Sequence, residues 1–251
     1  MTVWTDVSLD ELNAWLKTRL FGPAVALTPI ADGVEDSVFR VEFKNGRVAC
    51  LRLFERTEPA GPSDIAARLA AFGLPTCAPI VDKQNQYVVP LNGKPSALYP
   101  WINGKWVEKP SLVQIESIGM FLGQIACLAP RHCADWHREN PRGWLWFKKA
   151  TAEVLPFLDH DERDELKEEV KLQLSFWRSP QAEEVLKGPI HADIFRNNVL
   201  FNARGNLASV IDWGFCASGY PLIFDLAIVA TDWCLEDDGS YCLSEERLQA
   251  L

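Results

Sequence analysis

Leu12, Trp15, Leu16 and Leu20 recur at the spacing of one helix face. Ser8-Leu9-Asp10-Glu11 ahead of them has the form of a capping box, the serine accepting from first-turn amides while Glu11 reaches back. The period then changes. In Val38 to Lys44, Phe39, Val41 and Phe43 alternate with charged residues, as in a half-buried strand. Asn45-Gly46, the dipeptide best suited to a two-residue hairpin turn, leads into a second strand from Val48 to Phe54. Ser63 is expected to cap an alanine-rich helix carrying Ile65, Leu69 and Phe72, with Gly73 ending it. A strand from Tyr87 to Leu91 meets Asn92-Gly93 and returns as Ser96 to Trp101. The first hundred residues therefore read as a small antiparallel sheet with one inserted helix.

From about residue 104 the pattern becomes mostly helical. Ser111 and Gln114 form a second capping box before Leu112, Ile115, Ile118, Leu122 and Ile125. Two more helices are predicted over 147–178, a hairpin over 198–211 with Gly205 in its turn, and an apolar helix from Leu222 to Trp233. Neither an internal repeat nor a low-complexity linker interrupts this order.

Composition narrows the classes. The 251 residues can form one large domain or two lobes with a joint core, and 48% hydrophobic with 24% charged content is ordinary for a globular protein. A net charge of -9 argues against nucleic acid or an anionic membrane as a general partner. It leaves room for a nucleotide, whose phosphates a glycine loop and a bound cation can hold. Seven cysteines without a C-x-x-C pair suit free thiols in a reducing compartment. The first residues lack the layout of a signal peptide, and no apolar stretch approaches the roughly 20 residues needed to cross a bilayer. A cytoplasmic protein is expected.

The strongest chemical signal is His191-Ala192-Asp193-Ile194-Phe195-Arg196-Asn197-Asn198, followed by an apolar strand ending in Asp212. Phosphoryl transfer needs a carboxylate to orient and deprotonate the attacking hydroxyl, which suits Asp193. It also needs hard oxygen ligands for Mg2+, which suits Asn198 and Asp212. A loop running into a tight hairpin would bring all three to one point. Chance spacing alone could yield H-x-D-x-x-x-x-N, but the second aspartate at the strand end makes accident a poor account.

His191 to Phe201 resembles the H-A-D-L-F-R-D-N-V-L-F segment of the homoserine kinases within the aminoglycoside-phosphotransferase superfamily. Leu91 to Leu98, Phe224 to Ile228 and Asp232-Trp233-Cys234 resemble that family's L-x-G-K-P-A-x-L, Y-D-L-A-I and N-D-W-C, and the likeness runs over nearly the whole chain. It implies an α+β, protein-kinase-like two-lobe fold: a small antiparallel-sheet N-lobe over 1–97, a hinge over 98–103, and a mainly helical C-lobe over 104–251. It further implies ATP and Mg2+ as cosubstrates and L-homoserine as acceptor, in threonine biosynthesis. His191 would then brace the catalytic loop with Asp225 instead of acting as a base.

Arg196 stays open between a phosphate or substrate contact and a loop salt bridge, and Asp232 between holding the substrate ammonium and facing water. Gly33 to Phe39 resembles the family's G-x-E-N-T-N-F loop, where Gly33 lets amides approach phosphates and Ser37 can donate to one. By the same likeness Tyr99 and Ile102, at the hinge, contact the nucleotide. Arg52 stands where wider kinases carry a phosphate-binding lysine, a departure from homoserine kinases, which often have an uncharged residue there; an exposed strand arginine is the plainer reading. Cys127 replaces a usual histidine, which puts the packing beneath the catalytic loop in question.

Two rivals remain: another small-molecule kinase, acting on an amino alcohol or aminoglycoside, and a non-catalytic nucleotide-binding module. The C-terminus reads as shortened, since Ser244 opens a helix of about two turns and the family continues further. An exposed apolar patch and self-association are expected from that; the oligomeric state is otherwise unknown.

Overall fold

The computed structural model describes residues 4–19, 21–30 and 35–251. Helix α1 (Leu9–Trp15) opens on the expected Ser8–Glu11 capping box and buries Leu12 and Trp15. Leu20 lies outside the described residues. Strands β1 (Ala24–Pro29), β2 (Ser37–Phe43) and β3 (Val48–Leu53) follow, paired antiparallel. The β2–β3 loop differs from the expected two-residue turn. Such a turn requires left-handed backbone at both central residues, and here only Gly46 has it, at φ 79°. The Phe43 amide donates to Arg47 O at 2.9 Å, so the loop holds three residues.

Helix α2 (Ala60–Ala71) starts a turn earlier than predicted, with Pro59 at its N-cap. Ser63 is therefore inside it and buried, and its amide donates to Pro59 O. Gly73 ends the helix at φ 84°, with Leu74 N–H returning to Leu69 O, as a Schellman motif requires. Strand β4 (Val89–Leu91) is shorter than expected. Its turn into β5 (Lys94–Pro100) is the two-residue kind, Asn92 and Gly93 both left-handed.

The sheet order is β1-β2-β3-β5-β4. Phe39, Val41, Phe43, Leu51, Leu53 and Leu98 cover one face and pack on Leu12, Trp15 and Leu16. Cys50 and Arg52 alternate with these on β3 and look the other way, alongside Tyr99, which is in register with Cys50.

Helix α3 (Leu112–His132) has its predicted capping box and buries Ile115, Ile118, Phe121, Ile125 and Ala129. By length and composition it is apolar enough to span a bilayer, at mean hydropathy 1.5 over a window, which corrects the expectation from the sequence. Its apolar face lies in the core together with Ile65 and Leu69 of α2. Cys127 is exposed on it, so that position does not bear on the packing beneath the catalytic loop.

Helices α4 (Trp144–Val154) and α5 (His160–Trp177) bury no residue fully, and Leu145, Phe157 and Leu172 stand in solvent. A short α6 (Pro180–Glu184) precedes β6 (Lys187–Ile190). Then come the hairpin β7 (Val199–Phe201) and β8 (Leu207–Val210), β9 (Ala217–Pro221), α7 (Ile223–Trp233) and α8 (Glu245–Ala250). Ser244 occupies the N-cap of α8, but its side chain makes no capping bond. Ala250 and Leu251 pack on the core shared by α2, α3 and α7.

The β7–β8 hairpin is pinned from both sides. Val210 N–H donates to Pro75 O at 2.7 Å, and Val210 O accepts from Cys77 N–H at 3.2 Å. Lys105 and Phe201 exchange backbone hydrogen bonds of 2.9 and 2.8 Å. Gly104 permits that approach, because a Cβ there would lie 3.1 Å from both Leu200 Cβ and Phe201 O.

Candidate active site

The loop leaving β6 is anchored before it carries any chemistry. Ile190 and Ile194 are fully buried, and Trp233 Nε1–H of α7 donates to Ile194 O at 3.2 Å. Ala192 is left-handed at φ 62°, a conformation costing an L-residue about 1–2 kcal/mol. Asp225 holds it there. One carboxylate oxygen accepts from His191 N–H at 2.6 Å and the other from Ala192 N–H at 2.8 Å. Burial pushes the Asp225 carboxyl up to about 6, against the pull of those two amides.

His191 is wholly buried. Its Nε2 lies 2.9 Å from Ile211 O, and a carbonyl only accepts, so Nε2 carries the proton. Nδ1 then accepts from Asp193 N–H at 3.2 Å. Burial drives the imidazole down to about 4, so at neutral pH it is uncharged with both nitrogens engaged. Geometry puts His191 and Asp225 together as a brace, through the loop backbone.

The brace presents Asp193 to the hairpin. Asn198 Nδ2 donates to Asp193 O at 2.7 Å and to Asp193 Oδ2 at 2.8 Å. Burial, and then the charge of Asp212, raise the Asp193 carboxyl to about 6. Asn198 O accepts from Ile211 N–H at 2.9 Å, tying the loop to the end of β8. There Asp212 is left-handed at φ 60°, which swings its carboxylate out of the strand direction. Asp193, Asn198 and Asp212 thus converge as the motif suggested.

Arg52 reaches across from the sheet to this point. Its NH1 donates to Asp212 Oδ1 at 2.8 Å and its Nε to Asp36 Oδ2 at 2.7 Å. Burial lowers the pKa of this guanidinium, but the charges of Asp212 and Asp36 outweigh that and hold it above the ordinary arginine value. Conversely, burial would raise the Asp212 carboxyl, and the Arg52 charge and hydrogen bond bring it below the usual range. Arg52 is therefore an engaged residue of the cleft and not a solvent-facing strand arginine.

A divalent cation fits the oxygens that remain. Asn198 uses its amide nitrogen on Asp193 and leaves Oδ1 without a hydrogen bond among the described residues, and Asp212 has Oδ2 beside the one Arg52 holds. No group of three or more His, Cys, Asp or Glu forms a cage among the described residues. One carboxylate and one amide oxygen, completed by phosphates and water, is the donor set that suits Mg2+.

Other expected site residues lie elsewhere. Ser37 is a correction: its Oγ accepts from Trp4 N–H and Thr5 N–H and donates to Glu55, on the sheet face packed against α1. Arg196 and Asp232 are corrections too, because they satisfy each other. Arg196 N, Nε and NH2 donate to the Asp232 carboxylate at 2.8, 3.2 and 3.1 Å, and NH1 donates to Glu108 O. The open choice for Arg196 thus falls to a loop salt bridge, with Asp232 as its partner. Tyr99 is on the cleft side of the sheet, its phenol raised to about 12 by burial. Ile102 lies half-buried past the end of β5, its carbonyl accepting from Gly104 N–H. Gly33 lies outside the described residues.

Three residues were not expected at the site from the sequence. Asp36 anchors Arg52 from within the β1–β2 connection. Arg138 holds the segment after Asp212 through Gly214 O at 2.9 Å and through Cys216 O. Arg142 lies over the rings of Trp146 and Phe215, each centroid 4.8 Å away. All three sit in aperiodic loops, where hydrophobic pattern is silent. Beyond Arg142 opens a cavity of about 550 Å3, walled by Trp144, Phe147, Glu169, Trp177, Lys187 and Tyr220 among others.

Comparison with known proteins gives the chain's family and fold. A family model described as the phosphotransferase enzyme family matches residues 26–247. The homoserine kinase of Janthinobacterium sp. (strain Marseille) is 30% identical over 254 residues, covering 100% of this chain and 77% of that protein. That of Cupriavidus taiwanensis is 32% identical over 263 residues, covering 100% of this chain and 77% of that protein. Among solved structures, an AMP-bound spectinomycin phosphotransferase superposes at TM-score 0.71 with 15% identity, covering 98% of this chain and 80% of that one. Choline kinase from Streptococcus pneumoniae superposes at 0.61 with 12% identity, covering 96% and 78%. The fold is thus the expected kinase-like α+β one, and the reading as a non-catalytic module is set aside. The chain belongs to the phosphotransferase enzyme family and is an enzyme that phosphorylates an alcohol group.

Proposed function

We propose that the enzyme transfers the γ-phosphoryl group of ATP to the side-chain hydroxyl of L-homoserine, with Mg2+ as the metal. The observation that carries this is the convergence of Asp193, Asn198 and Asp212 on a loop braced by Asp225 and His191, in a chain similar along its whole length to homoserine kinases. Asp193, ionised at neutral pH, accepts the acceptor's hydroxyl proton as that oxygen bonds to the γ-phosphorus and the bond to the β-phosphate oxygen breaks, leaving ADP. Asp212 and Asn198 Oδ1 would hold the metal, which when bound would supply positive charge against that of the phosphates. Arg52, Tyr99, Ile102 and Gly33 serve the nucleotide.

On this reading residues 1–97 form the N-lobe, 98–103 the hinge and 104–251 the C-lobe. The cavity lies beyond Arg142, whose charge acts on Asp193. The seven thiols stand unpaired, in keeping with a cytoplasmic enzyme. One observation favours a second reading. About 550 Å3 lined by several aromatic rings is generous for a four-carbon amino acid, and would also admit a bulkier amino alcohol or an aminoglycoside.

A coupled assay of ADP release across L-homoserine, choline, hydroxylysine, methylthioribose and an aminoglycoside tests the assignment. L-Homoserine should give the highest kcat/KM. Faster turnover of any other member removes homoserine and leaves the phosphotransferase in place.

A further inference from the structure

Four arginines surround the catalytic loop, and three are fully engaged. Arg52 is held by Asp36 and Asp212, Arg138 by the carbonyls after Asp212, and Arg196 by Asp232 and Glu108 O. Arg142 differs. Its guanidinium makes no hydrogen bond among the described residues; it forms a loose ion pair with Glu35, whose carboxylate oxygen is 3.7 Å from NH2, beyond hydrogen-bond reach. The side chain is half exposed, yet it is not loose, because Trp146 and Phe215 hold it over their faces. A planar fork with no donor hydrogen-bonded among the described residues, fixed by two rings, is organised in advance for a bidentate anion.

Position selects which anion. Arg142 lines the cavity together with Trp144, Phe147 and Glu169, and its positive charge acts on the Asp193 carboxyl. The nucleotide side already has its own cation in Arg52, which is paired with Asp212. An acceptor placing its hydroxyl at Asp193 from within the cavity would therefore carry its other polar end past Arg142. Glu169, on α5, lines the same cavity and offers a carboxylate to a positive group.

We propose that Arg142 is a specificity residue that binds the carboxylate of the acceptor, so that the enzyme selects amino-acid alcohols over amino alcohols lacking that group. The inference rests on the acceptor reading above and sharpens it.

The test compares L-homoserine with 2-amino-1,4-butanediol, in which the carboxylate has become a hydroxymethyl group. Wild type should favour homoserine in kcat/KM by about 100-fold, the order expected of a charge-assisted bidentate contact. Arg142→Gln should collapse that preference toward unity, chiefly through KM, and Arg142→Lys should restore part of it. Melting curves establish that the variants fold. Should the glutamine variant not fold, the lysine variant and the wild-type preference still decide.

A wild type indifferent to the carboxylate overturns the proposal. So does an Arg142→Gln variant that loses kcat equally on both acceptors, because that is the signature of a structural or phosphate-binding role. If the panel identifies an acceptor without a carboxylate, both this inference and the homoserine reading fall. If it identifies a different amino acid, only the homoserine reading falls, and the comparison is run on that acceptor and its alcohol.

Discussion

Arg52→Gln tests the link between the sheet and the metal carboxylate. The substitution removes a cation joining Asp36, whose side chain is 1% exposed, to Asp212, whose side chain is 41% exposed. Breaking a buried pair by deleting one partner costs about 3–5 kcal/mol, because a charge is left behind. Two features reduce that here. Asp36 keeps Glu55 N–H at 2.8 Å and Thr57 Oγ–H at 2.8 Å, and Asp212 is open enough for water to screen it. The expected loss is therefore about 2–3 kcal/mol, or about 5–10 °C in Tm for a chain of this size. A second readout separates this from ordinary destabilisation. Arg52 occupies one oxygen of the carboxylate that a metal needs, so millimolar Mg2+ without nucleotide should leave the wild-type melt unchanged. It should raise that of Arg52→Gln by several degrees, replacing the missing charge. Thermal melts by circular dichroism, with Mg2+ or with chelator, measure both effects. A variant as stable as wild type, or one blind to Mg2+, would show that Arg52 and Asp212 are not coupled as the structure has them.

Asp193→Asn should lower kcat by about 100-fold or more and leave nucleotide affinity nearly unchanged, which steady-state kinetics and calorimetry check. Near-normal kcat at saturating acceptor removes Asp193 from the mechanism. Asp212→Ala should weaken Mg2+-dependent nucleotide binding more than Asn198→Ala, because a carboxylate neutralises charge and an amide does not; equal losses by calorimetric titration contradict this. His191 is held at about 4 when folded, below its ordinary 6.5. The unfolded chain therefore binds the extra proton between those values, and the stability this group contributes falls as pH drops from 6.5 toward 4. The stability gap between wild type and His191→Gln should narrow by up to about 3 kcal/mol from pH 7 to pH 4, and urea melts showing a constant gap would refute the neutral, buried histidine.

Much of the architecture follows from relations a few residues long. The capping boxes at Ser8 and Ser111, the Schellman ending at Gly73 and the two-residue turn at Asn92-Gly93 are set by neighbours within one turn of chain. So are the alternation of Phe39, Val41 and Phe43 and the amphipathic face of α3. The convergence of Asp193, Asn198 and Asp212 was legible for the same reason, since all three sit on one loop and the hairpin it feeds. Where local signals compete, the tertiary structure decides. Asn45-Gly46 has the same letters as Asn92-Gly93 but forms a three-residue loop, and Ser63 gives way as helix start to Pro59. The apolar α3, long enough for a bilayer, is claimed on one face by the core.

The roles of individual charges were least legible. Arg196 and Asp232 look available for substrate until the fold sets them against each other, 36 positions apart. Ser37 looks available for phosphate until the chain's N-terminal segment reaches its hydroxyl. Arg52 acquires its partners across 16 and 160 positions, and Arg142 becomes distinctive only where the fold sets it over Trp146 and Phe215 with no hydrogen bond among the described residues. Periodicity and turn chemistry act between residues that stay close along any path of the chain, so the sequence alone determines elements, the hairpin and the metal-type oxygen set. Whether a charge is engaged depends on which distant group the packed chain delivers to it, and for this enzyme only the tertiary structure decided that.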